Sequence, residues 1–272
     1  MSHILENAGS SVEQSGKKRS YRWFIATLSV AILTPLAIWA LNPSYAPGGN
    51  FDMEYWNLQL PIGSAGDPTI IPSSQLQGDN GYQDPGHHYF FTESGDGAMV
   101  MKVPGSPDDT GCVTTPNSTH CRTELAETSS WSPNNATNRL KATLAVEQAD
   151  PTQYGTVIGQ IHMDASVSTK PVCELYYAEN GNIYIGVEQT RAGEDEVFTY
   201  VGNVPIGTQF SYEIEYYDNE LKVALNGNFL PNLDTYSLDA PLSYFKAGNY
   251  NQSTDSSNGP SDVHFDALTI QH

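Results

Sequence analysis

The chain has 272 residues, with 12 Lys+Arg against 31 Asp+Glu for a formal charge of -19, and it is 39% hydrophobic and 11% aromatic. That apolar and aromatic content excludes a disordered chain, and the acidity disfavours nucleic acid as a partner. Three cysteines (Cys112, Cys121, Cys173) without a CxxC pair are too few for a disulfide scaffold and do not suit structural zinc.

Residues 1–46 read apart from the rest. Residues 23–41 carry no charge and follow the basic Lys17, Lys18, Arg19 and Arg22, a pattern that engages the membrane during export. Two readings stand open. Ser44-Tyr45-Ala46 fits a small-x-small cleavage site just before Pro47, or the run is kept as an anchor, being close to the about 20 residues that span a bilayer. Either reading puts residues 47–272 outside the cytoplasm, secreted or membrane-anchored. There Cys112 and Cys121, nine positions apart, could close a disulfide and leave Cys173 as a buried thiol; three unpaired buried cysteines are the alternative.

Residues 47–272 suffice for one large all-β domain and show no repeat or linker. Asp108-Asp109 falls in a Pro/Gly-rich stretch and reads as a loop. Apolar or aromatic residues recur at period two in Leu140–Glu147, Gly181–Glu188, Phe210–Tyr217, Leu221–Leu225 and Val263–Ile270, which predicts strands. Asp218-Asn219-Glu220 and Asn226-Gly227-Asn228 read as hairpin turns. Without a long amphipathic helix, short strands at regular spacing predict an antiparallel sandwich or jelly roll.

Three further strand-like segments carry polar residues on one face. Arg122 and Glu124 share a face with Leu125 opposite. Gln160 and His162 share one, with Val157, Ile161 and Met163 predicted to enter the core. Tyr244, Lys246, Tyr250 and Gln252 share one, backed by Phe245 and Ala247. Side by side in one sheet, these strands would form a groove with fixed positive charge, amide donors, a base near neutral pH and a phenol. Adjacent His87 and His88 would point to opposite faces of a strand, which argues against a metal pair.

The blocks Arg122-Thr123-Glu124-Leu125, Gln160-Ile161-His162 and Tyr244 through Gln252 resemble, in order, the signature blocks of polysaccharide lyase family 7, the alginate lyases. Tyr55–Ile62 is similar to that family's first strand. Cys121 stands where the family often has Pro, and Ala126 where it often has a basic residue, departures that touch subsite detail. The resemblance implies an all-β jelly-roll sandwich of two antiparallel sheets with a concave substrate groove, acting as a monomer on an anionic polysaccharide (alginate) without metal or other cofactor. It implies β-elimination across the 4-O-glycosidic bond of a uronate to leave unsaturated oligosaccharides, endo-acting, with Ile161 similar to the subgroup inclined to guluronate.

That chemistry needs the uronate carboxylate neutralised so that C5 can lose its proton. Arg122 and Gln160 suit this as donors. His162 suits the base that takes the proton, and Tyr250 the acid that protonates the leaving O4. Lys246, Gln252 and Glu124 would orient substrate or hold Arg122, and Tyr244 reads as packing. Arg139 and Lys141 are further candidates for groove cations, needed because so acidic a chain should repel a polyanion. The competing readings are a lyase for another polyuronate such as glucuronan, a non-catalytic carbohydrate-binding jelly roll, and a glycosidase. The last needs a carboxylate pair, for which only Glu124/Glu127 and Glu213/Glu215 are compact.

Overall fold

The computed structural model describes residues 40–134 and 137–272; the charge-free run over 23–41 lies almost wholly outside them. Among the described residues no helix is long and apolar enough to cross a membrane. Eight strands come first in the chain: β1 (Trp56–Ser64), β2 (Asp67–Ile71), β3 (Phe90–Thr92), β4 (Met99–Val103), β5 (Arg122–Glu127), β6 (Asn138–Gln148), β7 (Thr156–Met163) and β8 (Pro171–Tyr177). They are followed by β9 (Asn182–Val187), β10 (Val197–Asn203), β11 (Phe210–Tyr217), β12 (Glu220–Leu225), β13 (Asn228–Phe229), β14 (Leu233–Asp234), β15 (Ser243–Tyr250) and β16 (Ser261–Gln271). They form two antiparallel sheets: a groove-bearing one ordered β10-β9-β8-β7-β15-β5-β1-β2 and a second ordered β13-β12-β11-β6-β16-β4-β3, with β14 beside β12. This is the jelly-roll sandwich that the period-two pattern predicts.

The alternation works as written in β11, whose Phe210, Tyr212, Ile214 and Tyr216 are buried while Ser211, Glu213 and Glu215 are not. Both hairpins close with two-residue turns, Tyr217 pairing Glu220 and Leu225 pairing Asn228. Asp218, Asn219, Asn226 and Gly227 all take positive φ, as turns matching strand twist require. Leu140, Leu144 and Val146 of β6 meet Ile161, Met163 and Phe245 of the groove-bearing sheet in one apolar cluster.

Three expectations need correction. Val157 is buried as expected, but Ile158 rather than Val157 joins that cluster, because a bulge between Val157 and Gly159 shifts the register of β7 by one residue. Asp108-Asp109 lies in a four-residue helix, Pro107–Thr110, which Pro at its first position favours. His87 and His88 sit in a bend before β3, His87 at φ 54 with its ring stacked on Phe91.

Ahead of Pro47 the chain is already part of the fold. Ala46 is 2% exposed and donates its N–H to Asp79 O at 2.8 Å, and Asn42 N–H donates to Asn50 Oδ1. Cys112 and Cys121 form a disulfide with Cα atoms 6.2 Å apart, while Cys173 is free and buried, burial pushing its thiol pKa up.

Candidate active site

Strands β7, β15 and β5 are neighbours, so the three polar blocks lie side by side. Tyr244 pairs with His162, Lys246 with both Gln160 and Ala126, and Tyr250 with Arg122. Arg122, Gln160, His162, Tyr244, Lys246 and Tyr250 line one cavity of about 690 Å³ that runs from Gln59 on β1 to Phe198 on β10. Two glycines leave room beneath it, one for a side chain of the second sheet and one for the neighbouring strand's backbone. A Cβ on Gly159 would meet Tyr212 Oη at 2.4 Å, and one on Gly248, at φ 156, would meet Thr123 O at 2.6 Å.

Glu124 is the centre of charge. It is 1% exposed and bonds Lys246 Nζ at 2.6 Å and Arg122 Nη1 at 2.9 Å, while its other oxygen accepts the Gln160 amide N–H. Burial pushes this carboxyl up, but Lys246 and Arg122 outweigh it and hold the pKa down at about 2. Two cations against one carboxylate leave one net positive charge facing the cavity. Burial, and then Arg122, brings Lys246 down to about 8. The buried Arg122 Nε–H has no hydrogen-bond partner.

Burial first and Lys246 second lower His162 to about 4, so its imidazole is neutral at neutral pH. Its Nδ1 lies 2.8 Å from Met163 O; a carbonyl only accepts, so Nδ1 carries the hydrogen and Nε2 keeps the lone pair of a base. Burial raises Tyr250 above the ordinary phenol value of about 10, although Arg122, its guanidinium carbon 3.5 Å from the ring centroid, pulls the other way. The phenol is therefore protonated and fit to donate. Along β7 the His162 and Tyr250 levels are separated by roughly 16 Å of backbone at the rise of a strand, with the Gln160–Lys246 rung between them.

Other expected site residues sit elsewhere. With every carboxylate oxygen engaged, Glu124 holds the cations and does not face substrate. Gln252 lies past the end of β15, its N–H captured by Asp150 and its amide on Tyr250 O, and it lines an adjoining hollow with His120, Tyr154 and Tyr176. Arg139 and Lys141 are on the second sheet, where Glu213 and Glu215 pair with them, so neither adds charge to the groove and that glutamate pair does not line the groove cavity. Glu127 accepts from Trp131 Nε1 and Phe245 N–H. Ile161 is 0% exposed, so it touches core and not ligand. Tyr244 packs 5.2 Å from the His162 ring as well as lining the cavity.

The pattern of alternation gave no hint of two other features. Ser118, in the disulfide loop, lies 3.0 Å from Tyr250 Oη and accepts from Arg122 Nη2 at 3.3 Å. Glu174 on β8 and Glu196 just before β10 both contact the Tyr176 hydroxyl, at 2.6 and 3.0 Å. The phenol has one hydrogen to share between them, and burial favours a proton on the carboxyl pair. Burial first, with Glu174 next, pushes Glu196 to about 8. Among the described residues no three His, Cys, Asp or Glu gather as for a metal ion.

A jelly roll whose sheet brings a base, a phenol and a cation pair into one cleft is equipped for the chemistry of the polysaccharide-lyase class of carbohydrate-active enzymes. Comparison with known proteins makes this specific. A family model described as alginate lyase matches residues 51–272. An alginate lyase of Klebsiella pneumoniae is 28% identical over 270 residues, covering 76% of this chain and 84% of that protein. The solved structure of alginate lyase A1-II', a member of polysaccharide lyase family 7, matches with a TM-score of 0.70 at 29% identity over 84% of this chain and 98% of its own. An alginate lyase of Pseudomonas aeruginosa matches at 0.66 and 29% identity, over 81% of this chain and 99% of that one. The chain belongs to the alginate lyase family.

Proposed function

We propose that this enzyme is an endo-acting alginate lyase with a preference for guluronate, working by β-elimination. The observation that carries the reading is that Arg122, Gln160, His162, Lys246 and Tyr250 line one cavity on three adjacent strands. The uronate carboxylate sits against Arg122, Gln160 and Lys246, which stabilise the enolate-like charge that grows as C5 is deprotonated. His162 Nε2 takes the C5 proton, the C4–C5 double bond forms as the C4–O4 bond breaks, and Tyr250 gives its proton to O4. Solvent then takes the proton from His162 and returns one to Tyr250.

Base and acid on separate strands suit guluronate, in which the C5 proton and O4 lie on opposite faces. The similar A1-II' enzyme has been solved in variants holding a GGG product and a GGMG substrate. A cleft crossing from β1 to β10 supports internal attack on a chain. The basic, apolar N-terminal segment and the Cys112–Cys121 disulfide support action outside the cytoplasm, secreted or anchored. Absorbance of the new conjugated double bond, followed with polyguluronate, polymannuronate and glucuronan, tests the reading. The expected outcome is the fastest rise on polyguluronate and a loss of about 10²- to 10⁴-fold in Tyr250→Phe. A fastest rise on glucuronan would reassign the substrate, and reducing ends formed without absorbance would mean hydrolysis.

A further inference from the structure

The Ser118 hydroxyl has more contacts than a loop serine needs. His120 N–H donates to its Oγ at 3.1 Å and Arg122 Nη2 donates to it at 3.3 Å, while the His120 carbonyl, 3.1 Å away, and Tyr250 Oη, 3.0 Å away, complete its surroundings. A hydroxyl has two lone pairs and one hydrogen. The two N–H donors fill both lone pairs, so Ser118 can offer Tyr250 only its hydrogen, which the His120 carbonyl shares. Tyr250 therefore accepts from Ser118, and its own hydrogen is free to point into the cavity.

We propose that Ser118 is a positioning residue for the elimination, relaying the charge of Arg122 to the phenol oxygen of Tyr250 so that this oxygen can give up its proton to the leaving O4. The inference rests on the acid role of Tyr250 proposed above. No proton moves along the relay. As Tyr250 becomes phenolate, the Ser118 hydrogen, shared until then with the His120 carbonyl, swings fully to the new negative charge, and the Arg122 N–H on the same hydroxyl polarises it. Cys112–Cys121 closes the loop that carries Ser118, and Cys121 directly precedes Arg122. The relay answers a need of the site. Burial disfavours phenolate, and the carboxylates of Glu174 and Glu124 oppose it further, leaving Arg122 and Ser118 to favour it. His120 meets the ring edge-on, and burial lowers its pKa, so it adds no fixed charge.

The test compares Ser118→Ala, Ser118→Thr and Tyr250→Phe on polyguluronate, with melting temperature measured for each. The expected result for Ser118→Ala is a kcat lower by about tenfold or more, the scale of a lost hydrogen bond to a charged group, with KM and melting temperature close to the parent. Ser118→Thr, which keeps the hydroxyl, restores most of the rate. An unchanged kcat in Ser118→Ala overturns the inference, and so does a joint loss of affinity and melting temperature, which would make Ser118 a loop scaffold only. Failure of the underlying reading looks different: Tyr250→Phe would then keep its activity. An inactive Tyr250→Phe beside a fully active Ser118→Ala would sink the relay alone.

Discussion

The central strip of the groove, β7–β15–β5, and the arm beside it, β8–β10, face the same cavity and handle buried charge in opposite ways. In the strip one carboxylate, Glu124, is held ionised between two cations. In the arm two carboxyls, Glu174 and Glu196, contact one phenol, and burial pushes both upward, so the arm sheds charge by taking up a proton. The strip pairs its charges with oppositely charged side chains, so its electrostatics hold between about pH 4, where His162 titrates, and about 8, where Lys246 does. The arm is neutralised by solvent protons, so its charge depends on pH. A polyanion therefore meets a positive centre flanked by a wall whose negative charge grows as pH rises.

The largest expected effect comes from breaking the strip. Glu124→Gln leaves Lys246 and Arg122 buried without a counter-charge, and the loss of stability, read from urea unfolding, should be about 3 kcal/mol or more. Because the Glu124 pKa is depressed, to about 2, its stabilisation is present above the ordinary carboxylate value and is lost as pH falls towards about 2. The variant should therefore lose the part of the parent's acid dependence that Glu124 supplies in that window. A variant as stable as the parent would mean that the strip does not depend on its central carboxylate.

A smaller effect sharpens the contrast through pH. His162 must be neutral to act as base, and Lys246 must be charged to hold the uronate. With values of about 4 and about 8, kcat/KM should fall as pH drops through the first and again as it rises through the second. Lys246→Arg, which stays charged, should carry the alkaline limb upward. An alkaline limb that does not move would assign it to the arm, where Glu196 ionises in the same range. The smallest effect is that of salt. Screening over about 10 Å at 0.1 M should lower KM for the polyanion modestly by shielding the arm and the acidic surface. A rate that only falls with added salt would show that attraction to the strip outweighs that repulsion.

Much of this arrangement is written in the chain. Phe210–Tyr217 alternates so regularly that its bounds agree with the strand, and Asn226-Gly227 marks the turn after Leu221–Leu225 by chemistry alone. The pairs Arg122/Glu124 and Gln160/His162 announce a polar face because neighbours two apart on a strand must share it. What alternation cannot carry is a break in the alternation: the bulge at Val157–Gly159 puts Ile158 in the core, and the end of β15 at Tyr250 turns Gln252 out of the cleft. Nor can it show partners brought together by strand order. Glu174 and Glu196 are far apart in sequence and meet at Tyr176 only because β8, β9 and β10 lie side by side, and Ser118 reaches Tyr250 from a loop with no periodicity at all.

The Tyr212 hydroxyl, rooted in the second sheet, donates to Ile158 O at 2.9 Å through the bulge, beneath a glycine whose added methyl it would strike. Sandwich proteins commonly absorb changes in core volume by letting one sheet slip over the other. Here a peg from one sheet is seated in a notch of the other, one residue from Gln160 and three from His162. Slippage would drag the base off the sugar, so the core beneath this cleft must adjust to change by repacking side chains in place.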